Sequence, residues 1–172
     1  MELLIPGLIL VGLMIWASTR IKKNAAAAFD AETVDTDQFV IRKPEGFLHV
    51  LNDDSGLAFR AYSKEFGKVG NKDVRRATIE IEKHADTNLG TLRRKLESEA
   101  ENVDAFDPYV DAGEKAAFMI SNSIVDGGEY LIARKLVTRG NCVWEGRESV
   151  LSEADKEAEF LTESALNSFQ VK

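Results

Sequence analysis

A single cysteine, Cys142, leaves the chain without an internal disulfide and excludes a thiolate-rich metal site. A basic surplus is missing too. Lys and Arg number 22 against 29 Asp and Glu, a net charge of −7. The part beyond Lys23 is more acidic still, because Arg20, Lys22 and Lys23 all precede it. Nucleic-acid binding draws on clustered cations that displace counterions, so no nucleic-acid partner is expected. The two histidines, His49 and His84, belong to no HExxH or Cys/His-spaced metal motif, and each reads as an ordinary surface or hydrogen-bonded residue. Neither a GxxxxGK[ST] phosphate loop nor a GxGxxG occurs, and no internal repeat or low-complexity domain is evident.

Long apolar runs are also absent, with one exception that organises the chain. Residues 3–17 (LLIPGLILVGLMIWA) carry no charge, with Glu2 before them and Arg20, Lys22 and Lys23 after. As a helix this core is roughly 22 Å long, short of the ~30 Å hydrocarbon layer. Residues 1–21 would reach about 31 Å, with Trp16 near one interface and Ser18 and Thr19 bonding back to helix carbonyls. A secretory signal peptide is the competing reading, with residues 26–28 as a cleavage-site mimic. The charges lie on the wrong side for it: no Lys or Arg precedes the core, and three basic residues follow. The positive-inside rule therefore predicts an uncleaved single-pass anchor, N-terminus out and C-terminal domain cytoplasmic, with membrane lipid as partner of residues 3–21.

Three segments are expected: anchor and basic flank over 1–23, a helical or acidic linker over 24–37, and a soluble α+β domain over 38–172. The alanines at 25–28 favour continuation of the helix, and Asp30, Glu32, Asp35 and Asp37 read as its solvated end. Strands are predicted at 39–42, 47–51 and 57–62, with a turn at 52–56 and a polar loop over 64–72. The clearest strand is 77–82, where Ala77, Ile79 and Ile81 alternate with Thr78, Glu80 and Glu82, giving one buried and one wet face. A helix follows, capped by Thr87 and buried along Leu89, Leu92, Leu96, Ala100 and Val103; its Arg93, Arg94 and Lys95 read as a solvated face. After an acidic loop with Asp104, Asp107, Pro108 and Asp111, glycine turns at 126–128 and 140–141 predict a meander of strands 117–125, 130–138 and 142–150. Ser152, with Asp155 in the capping-box position, is expected to start a last helix with Ala154, Ala158, Leu161, Ala165 and Phe169 inward.

Several residue groups invite chemistry and give none by pattern. Cys142 reads as a small strand residue, Glu80 and Glu82 as a soluble strand face, and the Asp104, Asp107, Asp111 group lacks the spacing of a calcium loop. No catalytic residue, cofactor-binding residue or metal ligand is assigned, and no cofactor is expected.

The order of elements resembles the PsbP-like fold, the α/β/α sandwich named after the extrinsic proteins of photosystem II. The resemblance rests on Phe39-Val40-Ile41-Arg42-Lys43-Pro44-Glu45-Gly46-Phe47, on the late hairpin 130–144, and on Ala165-Leu166-Asn167-Ser168-Phe169. It implies an antiparallel sheet packed with two main helices. Fold alone does not transmit function. The function expected is a membrane-tethered interaction or ligand-binding module with a membrane or cytoplasmic protein partner. The alternatives are an enzyme whose site is assembled from scattered residues, or an exported PsbP-like protein.

Overall fold

The computed structural model describes the backbone of residues 4–51, 53–153 and 156–172, with side chains for the same residues except 4–12, 24 and 157. Strand β7 (Ala77–Ala85) lies in the middle, where the alternation of its sequence places Ala77, Ile79 and Ile81 fully inside. It pairs on one side with β4 (Phe59–Ser63) and on the other with β11 (Cys142–Leu151). Adding β3 (Phe47–His49), β10 (Gly128–Arg139), β9 (Glu114–Val125) and β8 (Asn102–Asp111) completes a seven-stranded antiparallel sheet in the order β3-β4-β7-β11-β10-β9-β8.

The two faces are covered unequally. Helix α3 (Lys156–Ser168) packs across β7, β10 and β11, and beside it lies a small sheet of β1 (Glu32–Asp35), β2 (Phe39–Lys43) and β12 (Gln170–Val171). Between them the main core closes around Phe39, Ile41, Ile79, Ile81, Trp144 and Phe169. Gly146 is required here because an added Cβ would meet Phe169 Cδ1 at 2.8 Å and Leu166 Cδ1 at 3.0 Å. The opposite face carries α2 (Leu89–Glu99), whose Leu92 and Leu96 cover only Met119, Leu136 and Val143.

Several expectations are corrected. Helix α1 (Leu4–Ala27) runs into the span 24–37, as its alanines predict, and within the same span Glu32–Asp35 pairs with β2. The loop over 64–72 is a hairpin, β5 (Phe66–Val69) and β6 (Lys72–Arg75). Asn88, not Thr87, caps α2, its Oδ1 accepting from Thr91 N–H at 3.0 Å, and the helix stops before Ala100 and Val103. The acidic loop is edge strand β8, joined to β9 by a two-residue turn with positive φ at Ala112 and Gly113. Ala154 and Asp155, and with them the expected capping box, lie outside the described residues, as does Asn52 of the 52–56 turn.

Among the described residues no helix is long and apolar enough to cross a membrane. The anchor expected over residues 1–21 falls for its first twelve positions outside the described side chains. Of its remainder, Leu13, Met14, Ile15, Trp16 and Ile21 are all exposed, and Thr19 Oγ1 donates back to Ile15 O at 2.8 Å as expected.

One polar residue sits under α3. Glu148 is buried, its Oε2 has no hydrogen-bond partner among the described residues, and Glu163 and Glu159 of α3 lie over it. Burial first, then the Glu163 charge, push its carboxyl up to about 8 against the opposing Thr162 hydroxyl. A carboxyl raised on folding contributes stability that is full below about 4.5 and is lost as pH rises through about 8. Glu148 alone therefore lowers stability by up to about 1.4 kcal/mol per pH unit across that window. Urea midpoints measured from pH 5 to 9 should fall more steeply for the native chain than for Glu148→Gln, and parallel slopes would contradict this assignment. Gly146→Ala should cost about 1–3 kcal/mol through overpacking, read as a lower urea midpoint at unchanged m-value.

Candidate functional site

Helix α1 ends in a residue environment that no local sequence rule announces. Its last carbonyls lack intrahelical partners, as at any helix C-terminus. Lys43, the last residue of β2 and only 1% exposed, reaches into this end. Its Nζ donates to Ala28 O at 3.2 Å, to Phe47 O at 2.8 Å and to Asp30 O. An ammonium has three N–H donors, and here all three meet backbone carbonyls. Burial lowers the ammonium's pKa from the ordinary lysine value, while the Glu32 and Asp30 charges oppose that shift. Two further contacts fasten the same segment. Gly46 N–H donates to Phe29 O at 2.7 Å, and Lys64 Nζ lies 5.5 Å from the centre of the Phe29 ring.

A cavity of about 400 Å³ opens against this clasp. Gly46, Phe47 and Lys64 line it and also belong to the clasp; Glu45, Ser63, Glu65, Arg76, Ala158 and Leu161 complete its wall. Arg76 pairs with Glu65 at 2.9 Å. The lining thus offers apolar surface from β3 and α3 together with both signs of charge, the composition of a site that takes a small amphipathic ligand or a partner side chain.

The second arrangement is the part of the sheet that α2 leaves uncovered. Because β4, β7, β11 and β10 are in register, Arg60, Glu80, Arg147 and Arg134 point to the same side, with Glu82, Glu145 and His84 beside them. Glu80 accepts from Arg147 Nε at 3.1 Å and pairs with Arg60 Nε at 3.1 Å. Glu145, 2% exposed, accepts from Arg134 Nε at 3.0 Å on one oxygen and meets His84 Nε2 at 2.8 Å on the other. Arg134 also donates to the buried Ser121 hydroxyl at 2.8 Å. Burial pushes the Glu145 carboxyl up, but the His84 hydrogen bond and the Arg147 and Arg134 charges outweigh it and hold the group below the usual carboxylate range. Glu145 and its partners are thus an ionic network locked on a rigid sheet.

The expected wet strand face is therefore only partly wet: Glu80 is buried between two arginines from neighbouring strands. His84 meets carboxylates on both ring nitrogens, whereas His49 packs on Phe59 with ring centres 4.8 Å apart, its pKa lowered by burial. Cys142 donates its Sγ–H to Arg139 O at 3.0 Å. Asp104 accepts from Asn102 and Asn122, each at 2.6 Å, and Asp111 pairs with Lys135 at 3.3 Å, so the aspartate group is spread along β8. Arg93 bonds Glu97 at 2.6 Å and stacks on Phe106, as a solvated helix face does. Pattern reading missed Lys43, Arg134 and Glu145 because each acts across the sheet or between layers; the one available signal was a charged residue at a strand position otherwise due to be buried.

No protein-family model matches the sequence, and a search of curated proteins gives no match. Solved structures do match. LpqN of Mycobacterium tuberculosis, involved in cell envelope biogenesis, superposes with a TM-score of 0.55 at 11% identity, covering 83% of this chain and 91% of that one. Cyanobacterial PsbP (CyanoP) from Synechocystis sp. PCC 6803 gives 0.53 at 12% identity over 85% and 94%. The Saccharomyces cerevisiae Ran-binding protein Mog1p gives 0.55 at 10% identity over 83% and 96%. At these identities the likeness concerns the fold, and the chain has the PsbP-like α+β fold that these proteins share.

Proposed function

We propose that this chain is a single-pass, membrane-tethered binding module whose folded domain faces the cytoplasm and takes a ligand or a partner's side chains in the cavity beside the α1 exit. One observation carries the reading: α1 exposes Leu13, Met14, Ile15, Trp16 and Ile21, while its C-terminal end is clasped by Lys43 to the domain. Apolar side chains exposed all around a helix cost free energy in water, about 25 cal/mol per Å² of apolar area, and a bilayer removes that cost. Arg20, Lys22 and Lys23 follow the apolar run, which supports a cytoplasmic C-terminal side. Arg20 lies 5.2 Å from the Trp16 ring centre, an arrangement suited to the headgroup layer. The Ran-binding role of Mog1p supports protein interaction as one class of task for this fold, without naming the partner here.

Tethering gives the module its advantage by concentration, since a partner in the same membrane is met at an effective concentration set by the tether. Protease added to inverted membrane vesicles should degrade the C-terminal domain, whereas right-side-out vesicles should protect it. Degradation from the outside alone would overturn the orientation, and recovery of the full chain in the soluble fraction would overturn the tether. Lys43→Met should raise the rate of proteolysis within residues 24–31 about tenfold or more while leaving the core strands protected. An unchanged cleavage rate there would remove the clasp from this account.

A further inference from the structure

We propose that Glu82, His84 and Glu145 form a binding site for one divalent transition-metal ion of the zinc class. The three residues come from adjacent strands in register, Glu82 directly opposite Glu145 and His84 opposite Val143, so the rigid sheet gathers them. One ligand atom from each lies within 4.8 Å of the other two. Zinc bonded at about 2.0–2.2 Å to nitrogen and oxygen brings its ligands to about 3.5 Å of one another, so closure requires side-chain shifts of about 1 Å.

The geometry around the imidazole has room for a cation. Nε2 of His84 lies 2.8 Å from Glu145, and Nδ1 lies 3.6 Å from Glu82. Each ring nitrogen therefore faces a carboxylate oxygen, a nitrogen and an oxygen donor set side by side. A metal ion turns that set into ligands. The donor set of one imidazole and two carboxylates suits zinc and its neighbours, and the lack of thiolate argues against the softest ions. Arg134 on the second oxygen of Glu145, itself held by the Ser121 hydroxyl, orients the carboxylate as outer-shell partners do. Glu82 is half exposed, which gives the ion an entry path and a position open to water. Arg134 bonds one Glu145 oxygen and Arg147 pairs with Glu80, so the Glu145 oxygen that faces His84 is the one offered to the ion.

Metal-free full-length chain in detergent micelles should bind one equivalent of zinc ion by calorimetry, with a rise in thermal midpoint. Glu82→Gln and His84→Ala should each weaken binding about tenfold or more, while His49→Ala leaves it unchanged. Glu82, lying on the exposed side of the network, tests the site even where the loss of His84 disturbs the fold. Absence of binding at about 0.1 mM zinc, affinity unchanged in either variant, or loss with His49→Ala alone would overturn the assignment.

Discussion

The structure depends on one buried ammonium. Lys43 ties the α1–β1 connection to the start of β3, and does so with three backbone carbonyls, Ala28 and Asp30 from the connection and Phe47 from β3. Burying a lysine costs several kcal/mol unless its donors are satisfied, and here the carbonyls it satisfies are ones the helix end and the turn leave open. A lysine suits the task better than an arginine, because a compact head with three divergent donors fits convergent carbonyls where a planar fork does not. The consequence is mechanical. Residues 28–30, directly after the helix, are bonded to the domain through Lys43 and Gly46.

The same clasp borders the main cavity of the domain. The clasp and the cavity share Gly46, Phe47 and Lys64, so the 400 Å³ cavity opens beside the exit of α1. On the α3 side the sheet is dry, closed by Phe169 and Leu166 against Gly146, with the Glu148 carboxyl pushed up by burial beneath the helix. On the α2 side it is charged, because α2 leaves uncovered Glu80, which is held by Arg60 and Arg147, and Glu145, which is held by Arg134 and His84. One sheet thus combines a packed face that supplies stability and an ionic face that is held in place by strand register.

Much of this was legible in the residues. Alternation along Ala77, Ile79 and Ile81 gives the central strand, and glycine turns near 127 and 140 give the late meander. The Phe39 to Phe47 and Ala165 to Phe169 phrases point to the fold that the solved structures share. Other features are not local. Ala112 holds a φ of 49°, so Gly113 alone marks the hairpin that makes β8 a strand, and three aspartates disguise it further. The Glu145 to His84 contact spans 61 residues, and the Lys43 clasp gathers carbonyls, which carry no side-chain signature at all. Spacing rules see neither.

The central proposal is that the Lys43 clasp makes α1 and the domain move as one body. Spin labels placed at Lys22 and Lys95, in the Cys142→Ser background and in lipid nanodiscs, report the distance between the helix end and the exposed face of α2. A rigid clasp predicts a single narrow distance distribution, unchanged from nanodisc to detergent. A broad distribution, or one that shifts with the lipid environment, would contradict it.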